Sequence, residues 1–325
     1  MGLAERVPVR SGVGVCGSGV QPVRRAEESG KKGRSWKPLW QEGKPGVLKV
    51  GAGPFNLEHT LMSGQAFRWR REEQGFVGVV RGQVLRLEQR GRRVVYRCAP
   101  GQVAQSKLRR YLGLDAASAE ALRSLPVDAV LGPAIRKFAG MRILQQDPWE
   151  TLISFIISSN NSITRTKKCI ERLCRTFGKE TDGLPGFYSF PSPQAMANAS
   201  LRALRETCNL GYRDVYARET ARTVARNPHL LSEIARLPYP KARGRIVGEF
   251  LGVGNKVADC VLLYSMGKYE AFPVDRWVKR IIEDRYYDGT SVPSPEIRAS
   301  AEERFGRVAG YAQLYLFQYA LTGGG

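Results

Sequence analysis

Residues 250–275 read FLGVGNKVADCVLLYSMGKYEAFPVD, and this stretch decides the fold. Gly252 and Gly254 bracket Val253 in a two-glycine turn. Asn255 suits an N-cap, and the spacing from Lys256 to Met266 predicts a helix with Val257, Cys260, Val261 and Tyr264 on one face. Upstream, Pro240 to Phe250 predicts another helix with proline in its first turn, so the unit is helix, Gly-rich hairpin, helix. Glycines let the hairpin take positive φ and come close to a ligand, and the helix N-terminus behind it offers unpaired N–H groups and a partial positive charge. That combination suits a phosphate.

Lys256 falls at the first helical position of this reading. There the helix dipole works against its ammonium form and favours the free amine that a nucleophile needs. Further on, Pro273-Val274-Asp275 offers a carboxylate just ahead of a helix that begins at Arg276. Each residue also has a plainer reading, Lys256 as a surface lysine at a helix start and Asp275 as an ordinary N-cap.

Taken together, the stretch resembles the helix-hairpin-helix, Gly/Pro-rich loop and aspartate signature of the base-excision DNA glycosylase superfamily. GVGNKVADC is similar to the 8-oxoguanine branch, which combines glycosylase and lyase activity. The resemblance implies Lys256 as Schiff-base nucleophile, Asp275 as catalytic carboxylate, and Gly252 and Gly254 as part of a DNA-binding hairpin whose carbonyls could also hold a monovalent or calcium ion. Leu251 departs from the pattern, since a proline often precedes that glycine.

Other segments carry the same resemblance. LMSGQAFRWR is similar to the motif in which a glycine carbonyl, here that of Gly64, faces the lesion. Oxidation at C8 converts guanine N7 from an acceptor to an N–H donor, so one fixed carbonyl rewards the damaged base and repels the normal one. SFIISSNNSITR resembles the segment that fills the gap left by an extruded nucleotide, with Asn160 in the gap and Arg165 reading the orphaned cytosine. LGYR resembles the wedge, with Tyr212 replacing lost stacking and Arg213 contacting the opposite base. YAQLYLFQYA resembles the base-pocket helix, with Gln313 on the Watson–Crick edge and Phe317 stacking opposite Cys260. Read alone, these are also an Asn-Asn turn, a solvated basic face, a buried tyrosine and core aromatics. Trp277 stands where the family often has a phosphate-binding histidine, and Ala320 where some relatives carry an acid.

Composition limits the other choices. The chain has 325 residues, 42% of them apolar, and a formal net charge of +21, a field that favours a polyanion such as DNA. No apolar run is long enough to span a bilayer. The cysteines at 16, 98, 169, 174, 208 and 260 show no CxxC spacing, and none follows Cys260, so neither a zinc site nor the iron–sulfur cluster of some relatives is expected. The expectation is an intracellular monomer acting on double-stranded DNA that contains an oxidised purine, with no membrane partner and no cofactor.

The predicted fold class is α+β. A basic leader over residues 1–45 precedes an antiparallel sheet domain with short helices over 46–140, then a helical domain containing the helix-hairpin-helix over 141–325. Strand-like runs include 60–62, 67–70, 76–80, 83–87 and 93–97, with turns at Arg81-Gly82 and Arg90-Gly91. Short helices are expected over 103–112 and 116–125, and longer ones from Asp147-Pro148, from Ile163 to Phe177, from Tyr212 to Arg226 and from Tyr311 to Leu321. Competing functions are a monofunctional alkyl-base glycosylase, for which Lys256 would have no task, a thymine-glycol lyase, which usually carries the missing cysteine cluster, and a non-catalytic helix-hairpin-helix binding module.

Overall fold

The structure is a computed structural model that describes residues 45–323 apart from Ala52 and Gly183; residues 1–44 of the expected leader lie outside the described residues. Strands β1 (Gly46–Lys49), β2 (Trp69–Glu72), β3 (Gly75–Val80), β4 (Gln83–Arg90) and β5 (Arg93–Ala99) make one antiparallel sheet in the order β1-β5-β4-β3-β2. Arg81 and Gly82 both have positive φ, 50° and 78°, the primed hairpin turn whose twist matches its strands. The next turn falls at Gly91-Arg92, one residue later than expected, because β4 stays paired through Arg90, opposite Arg93.

One expected strand is a helix. Residues 60–62 belong to α1 (Leu57–Met62), which starts because Asn56 Oδ1 accepts from His59 N–H and Gln89 Oε1 accepts from Leu57 N–H. Three residues of alternating pattern could not reveal that cap. Helix α1, with α2 (Gln105–Tyr111), covers one face of the sheet, where Leu57, Leu61 and Leu108 pack on Leu48, Leu85 and Leu87.

The helices α3 (Ala116–Arg123) and α4 (Leu131–Lys137) lead into the second, larger core. At its centre lies α5 (Pro148–Ser158), with Thr151 to Ile157 buried. Its start is fixed by sequence: Asp147 Oδ1 accepts from Trp149 and Glu150 N–H at 3.0 Å each, and proline occupies the first turn. Then come α6 (Ile163–Phe177), a small hairpin of β6 (Glu180–Thr181) and β7 (Leu184–Tyr188), α7 (Pro193–Ala197), α8 (Arg213–Arg226), α9 (Leu230–Arg236) and α10 (Tyr239–Glu249). Helices α11 (Asn255–Met266), α12 (Arg276–Tyr286), α13 (Ser294–Phe305) and α14 (Ala309–Leu321) complete the described chain. The α+β class is as expected, a five-stranded sheet followed by helices.

Helix α10, residues 250–254 and α11 form the helix-hairpin-helix. The N-cap is Gly254 rather than Asn255, so Lys256 is the second helical residue. Gly252 has φ 75°, and a Cβ there would meet the Tyr216 ring at 2.6 Å, so the hairpin accepts only glycine at this point.

Inside the motif, Asp259 is fully buried. Its Oδ1 accepts from Tyr239 Oη at 2.9 Å, and Oδ2 has no partner among the described residues. Loss of water raises its carboxyl to about 6 from 3.8, against the smaller opposing pull of Tyr239 and Arg243. The fold therefore holds this proton more tightly than the unfolded chain does. Stability should fall as pH rises from about 4 to about 6, by about 3 kcal/mol at 1.36 kcal/mol per unit. Urea unfolding of wild type and Asp259→Asn across pH 4–7 checks this: the difference between them should change sharply in that window, and parallel curves would refute it.

Candidate active site

A cleft of about 960 Å³ opens between the sheet region and the helices, and it gathers residues remote in sequence. Gly64 and Phe67 come from the segment before β2, Phe155 and Asn160 from α5 and the turn after it, and Arg165 from α6. The hairpin supplies Gly252 and Gly254, α11 supplies Lys256, Cys260 and Tyr264, and Asp275, Gln313 and Phe317 complete the lining. Of the expected site residues, Tyr212 and Arg213 alone fall outside this lining.

Lys256 reaches the cleft from the N-terminal turn of α11, half buried, with Nζ 5.2 Å from the centroid of the Phe155 ring. Phe155 is itself fixed, stacked on Tyr264 at 5.6 Å and edge-on to Phe67 at 5.4 Å. One turn along α11 from Lys256, Cys260 is buried, and burial pushes its thiol up to about 12; Lys256 nearby opposes that shift and Asp275 adds to it. The thiol is neutral at physiological pH, a soft apolar wall rather than a nucleophile.

Asp275 does cap α12, as its plain reading has it. Its Oδ1 accepts from Trp277 N–H at 3.0 Å and Val278 N–H at 2.9 Å. Those two bonds occupy one oxygen and leave Oδ2 without a hydrogen-bond partner among the described residues, so capping and a second task are compatible.

Gly64 has φ 84°, and a Cβ there would press on Ile163 Cδ1 at 3.0 Å and touch Phe317 Cε1 at 3.5 Å. The loop that carries it is held by a residue sequence reading missed. Buried Gln65 donates from Nε2 to the carbonyls of Thr60 (2.9 Å) and Arg142 (2.8 Å) and accepts at Oε1 from Leu144 N–H (2.8 Å). Its partners lie up to 79 residues away, so no local pattern could announce it.

The outer rim brings Asn160, Tyr212 and Arg213 together. Asn160 is exposed with φ 49°, and Tyr212 is 53% exposed. Arg213, which the resemblance assigns to the opposite base, is engaged within the protein. It is 6% exposed, with Nε donating to the Ser159 carbonyl at 2.8 Å and Nη2 to the Asn160 carbonyl at 3.0 Å and also to Ser159. The same guanidinium lies 4.3 Å from the centroid of the Tyr212 ring. Arg165 is exposed on α6.

This arrangement, an amine and a carboxylate in an aromatic cleft beside a helix-hairpin-helix, is that of a DNA base-excision protein, and the comparisons agree. The chain belongs to the HhH-GPD superfamily of base excision DNA repair proteins: that family matches residues 153–306, and the 8-oxoguanine DNA glycosylase N-terminal domain matches residues 47–152. A probable N-glycosylase/DNA lyase of Methanothermobacter thermautotrophicus is 33% identical over 85% of this chain and 97% of its own length. The Clostridium acetobutylicum 8-oxoguanine glycosylase/lyase in its apo form is 33% identical, with a TM-score of 0.77 over 85% of this chain and 99% of that one. Its complex with double-stranded DNA containing cytosine opposite 8-oxoguanine gives 32% identity and a TM-score of 0.78 over 87% and 99%.

Proposed function

We propose that this chain is a bifunctional DNA glycosylase and lyase that excises 8-oxoguanine from duplex DNA in base excision repair. The observation that carries this is Lys256, held at a helix N-terminus in the wall of a cleft that also contains Asp275 and the flat, aromatic surfaces a flipped base needs. One chain supplies every residue invoked, so a monomer suffices.

The reaction follows from these groups. The Lys256 amine attacks C1′ of the extruded nucleotide and the base leaves with the electrons of its N-glycosidic bond. Asp275 stabilises the positive charge that develops on the sugar as that bond lengthens. The sugar ring opens to a Schiff base between Nζ and C1′. A C2′ proton then passes to solvent and the C3′–O3′ bond breaks, the 3′ phosphate leaving with its electrons, which nicks the strand 3′ to the site. Tyr212 replaces stacking lost on extrusion, a contact worth about 1–3 kcal/mol per base, and its exposure at the rim supports that role. Single-turnover assays on duplexes holding 8-oxoguanine, an alkylated purine or an oxidised pyrimidine test this: the first should be cut fastest, and fastest cleavage of either of the others would overturn it.

Opposite-base preference separates the two arginines. Arg165, exposed on the rim, reads the cytosine, whereas Arg213 holds the Asn160 turn and lies against the Tyr212 ring. Arg165→Ala should lower cleavage opposite cytosine about ten-fold and leave the other three bases little changed, as one lost charge-assisted hydrogen bond implies. Arg213→Ala should slow all four alike. Rates that change equally for both variants at every opposite base would refute the division.

A further inference from the structure

Gln313 is buried at the end of the cleft, and both ends of its amide are engaged within the protein. Nε2 donates to the Pro273 carbonyl at 3.1 Å, and Oε1 accepts from Tyr264 Oη at 3.2 Å. The Pro273 carbonyl can only accept, so the atom facing it is the amide nitrogen, and the oxygen therefore lies toward Tyr264. A reversed amide would set oxygen against oxygen at Pro273, and although the Tyr264 oxygen could accept from the amide nitrogen, its own buried O–H would lose its acceptor. The hydroxyl is itself anchored, because Tyr264 is 4% exposed and its ring stacks on Phe155 with an interplanar angle of 20°.

A primary amide has two N–H groups and two lone pairs on its oxygen. The partners named above use one of each, so one donor and one acceptor are left in fixed places for a base. The two kinds of purine edge differ in what they ask. A 6-oxo purine accepts at O6 and donates at N1–H and its 2-amino group, whereas a 6-amino purine donates at its amino group and accepts at N1. An amide free to turn by half a revolution would satisfy either edge. One locked in a single orientation satisfies one of them and leaves unpaired polar groups against the other, the situation in which a buried site discriminates most strongly.

We infer that Tyr264 is a specificity-determining positioning residue: its hydroxyl, with the Pro273 carbonyl, locks the Gln313 amide so that the pocket takes 6-oxo and rejects 6-amino purines. This rests on the 8-oxoguanine reading and adds to it a second filter, independent of Gly64, which would act on the oxidised five-membered ring.

The informative pair of substrates is 8-oxoguanine and 8-oxoadenine, which share the oxidised C8 edge and differ at the edge Gln313 faces. Tyr264→Phe removes the hydroxyl and keeps the ring on Phe155. The preference of kcat/KM for 8-oxoguanine over 8-oxoadenine should shrink about ten-fold, the worth of one buried hydrogen bond. Any fall in nicking of a duplex with a preformed abasic site, which has no base to read, should be smaller than the fall in cleavage at 8-oxoguanine. An unaltered preference overturns the inference, and so does an equal loss on all three substrates, which would mark Tyr264 as a packing residue only. Wild type that leaves 8-oxoguanine uncut, yet nicks abasic sites, overturns the parent function instead.

Discussion

Lys256→Gln is expected to abolish borohydride trapping on an 8-oxoguanine duplex and to slow base release by about a thousand-fold or more, while duplex affinity stays within a few-fold of wild type. The size follows from what is removed. Without an amine there is no covalent intermediate, and the remaining route is attack by water, which lacks the proximity of a tethered nucleophile, a benefit that reaches roughly 7–11 kcal/mol in well-oriented cases. Affinity survives because the rest of the same cleft, from the hairpin glycines to Phe155 and Arg165, is supplied by other residues and stays in place. The variant also gives up the approach of Nζ to the Phe155 ring, 5.2 Å from its centroid, a contact that bears on local order rather than on DNA binding. Trapping that persists in Lys256→Gln would assign the Schiff base to another amine and remove the principal support of the proposed function.

Much of this site was legible in sequence because its residues sit where local rules place them. Asp147-Pro148 announces α5, Gly252 and Gly254 announce the hairpin, and Asp275 announces α12, since a cap or a positive φ constrains residue type directly. Helical spacing then gave the helices α11 and α14 themselves, while the roles expected of Lys256, Cys260, Gln313 and Phe317 came from the family resemblance. What could not be read is what depends on contacts between distant segments. Gln65 is an unremarkable glutamine until its partners from residues 60, 142 and 144 are in view. Tyr264 was placed on the right face of its helix, but its bond to Gln313 links residues 49 apart, and that bond defines its task. Arg213 shows the converse, a residue whose type matches a role in DNA contact while the fold spends its donors on the carbonyls of Ser159 and Asn160. The misplaced strand at 60–62 has a related cause: Gln89, from β4, helps to start α1, and short alternating runs carry no record of such a partner.

Asp275→Asn separates the two tasks this carboxylate performs, and it should lower kcat by about 100- to 1,000-fold with little change in folding stability. Asparagine is nearly as good an N-cap as aspartate, so the bonds from Trp277 and Val278 N–H to Oδ1 can persist and α12 should remain intact. What is lost is the charge. A carboxylate about 4 Å from a developing cation, at an effective dielectric near 20, is worth about 4 kcal/mol, or somewhat under three powers of ten in rate. Asp275→Ala removes the cap as well and should cost about 1 kcal/mol of stability in addition to a similar loss of rate. Measuring kcat and the urea midpoint for both variants therefore tests the assignment in two directions. If Asp275→Asn excises 8-oxoguanine at the wild-type rate, the residue is a cap only and some other group must stabilise the sugar cation. If the two variants are equally unstable, the carboxylate charge rather than its capping geometry holds α12, and the loss of rate cannot be credited to chemistry alone.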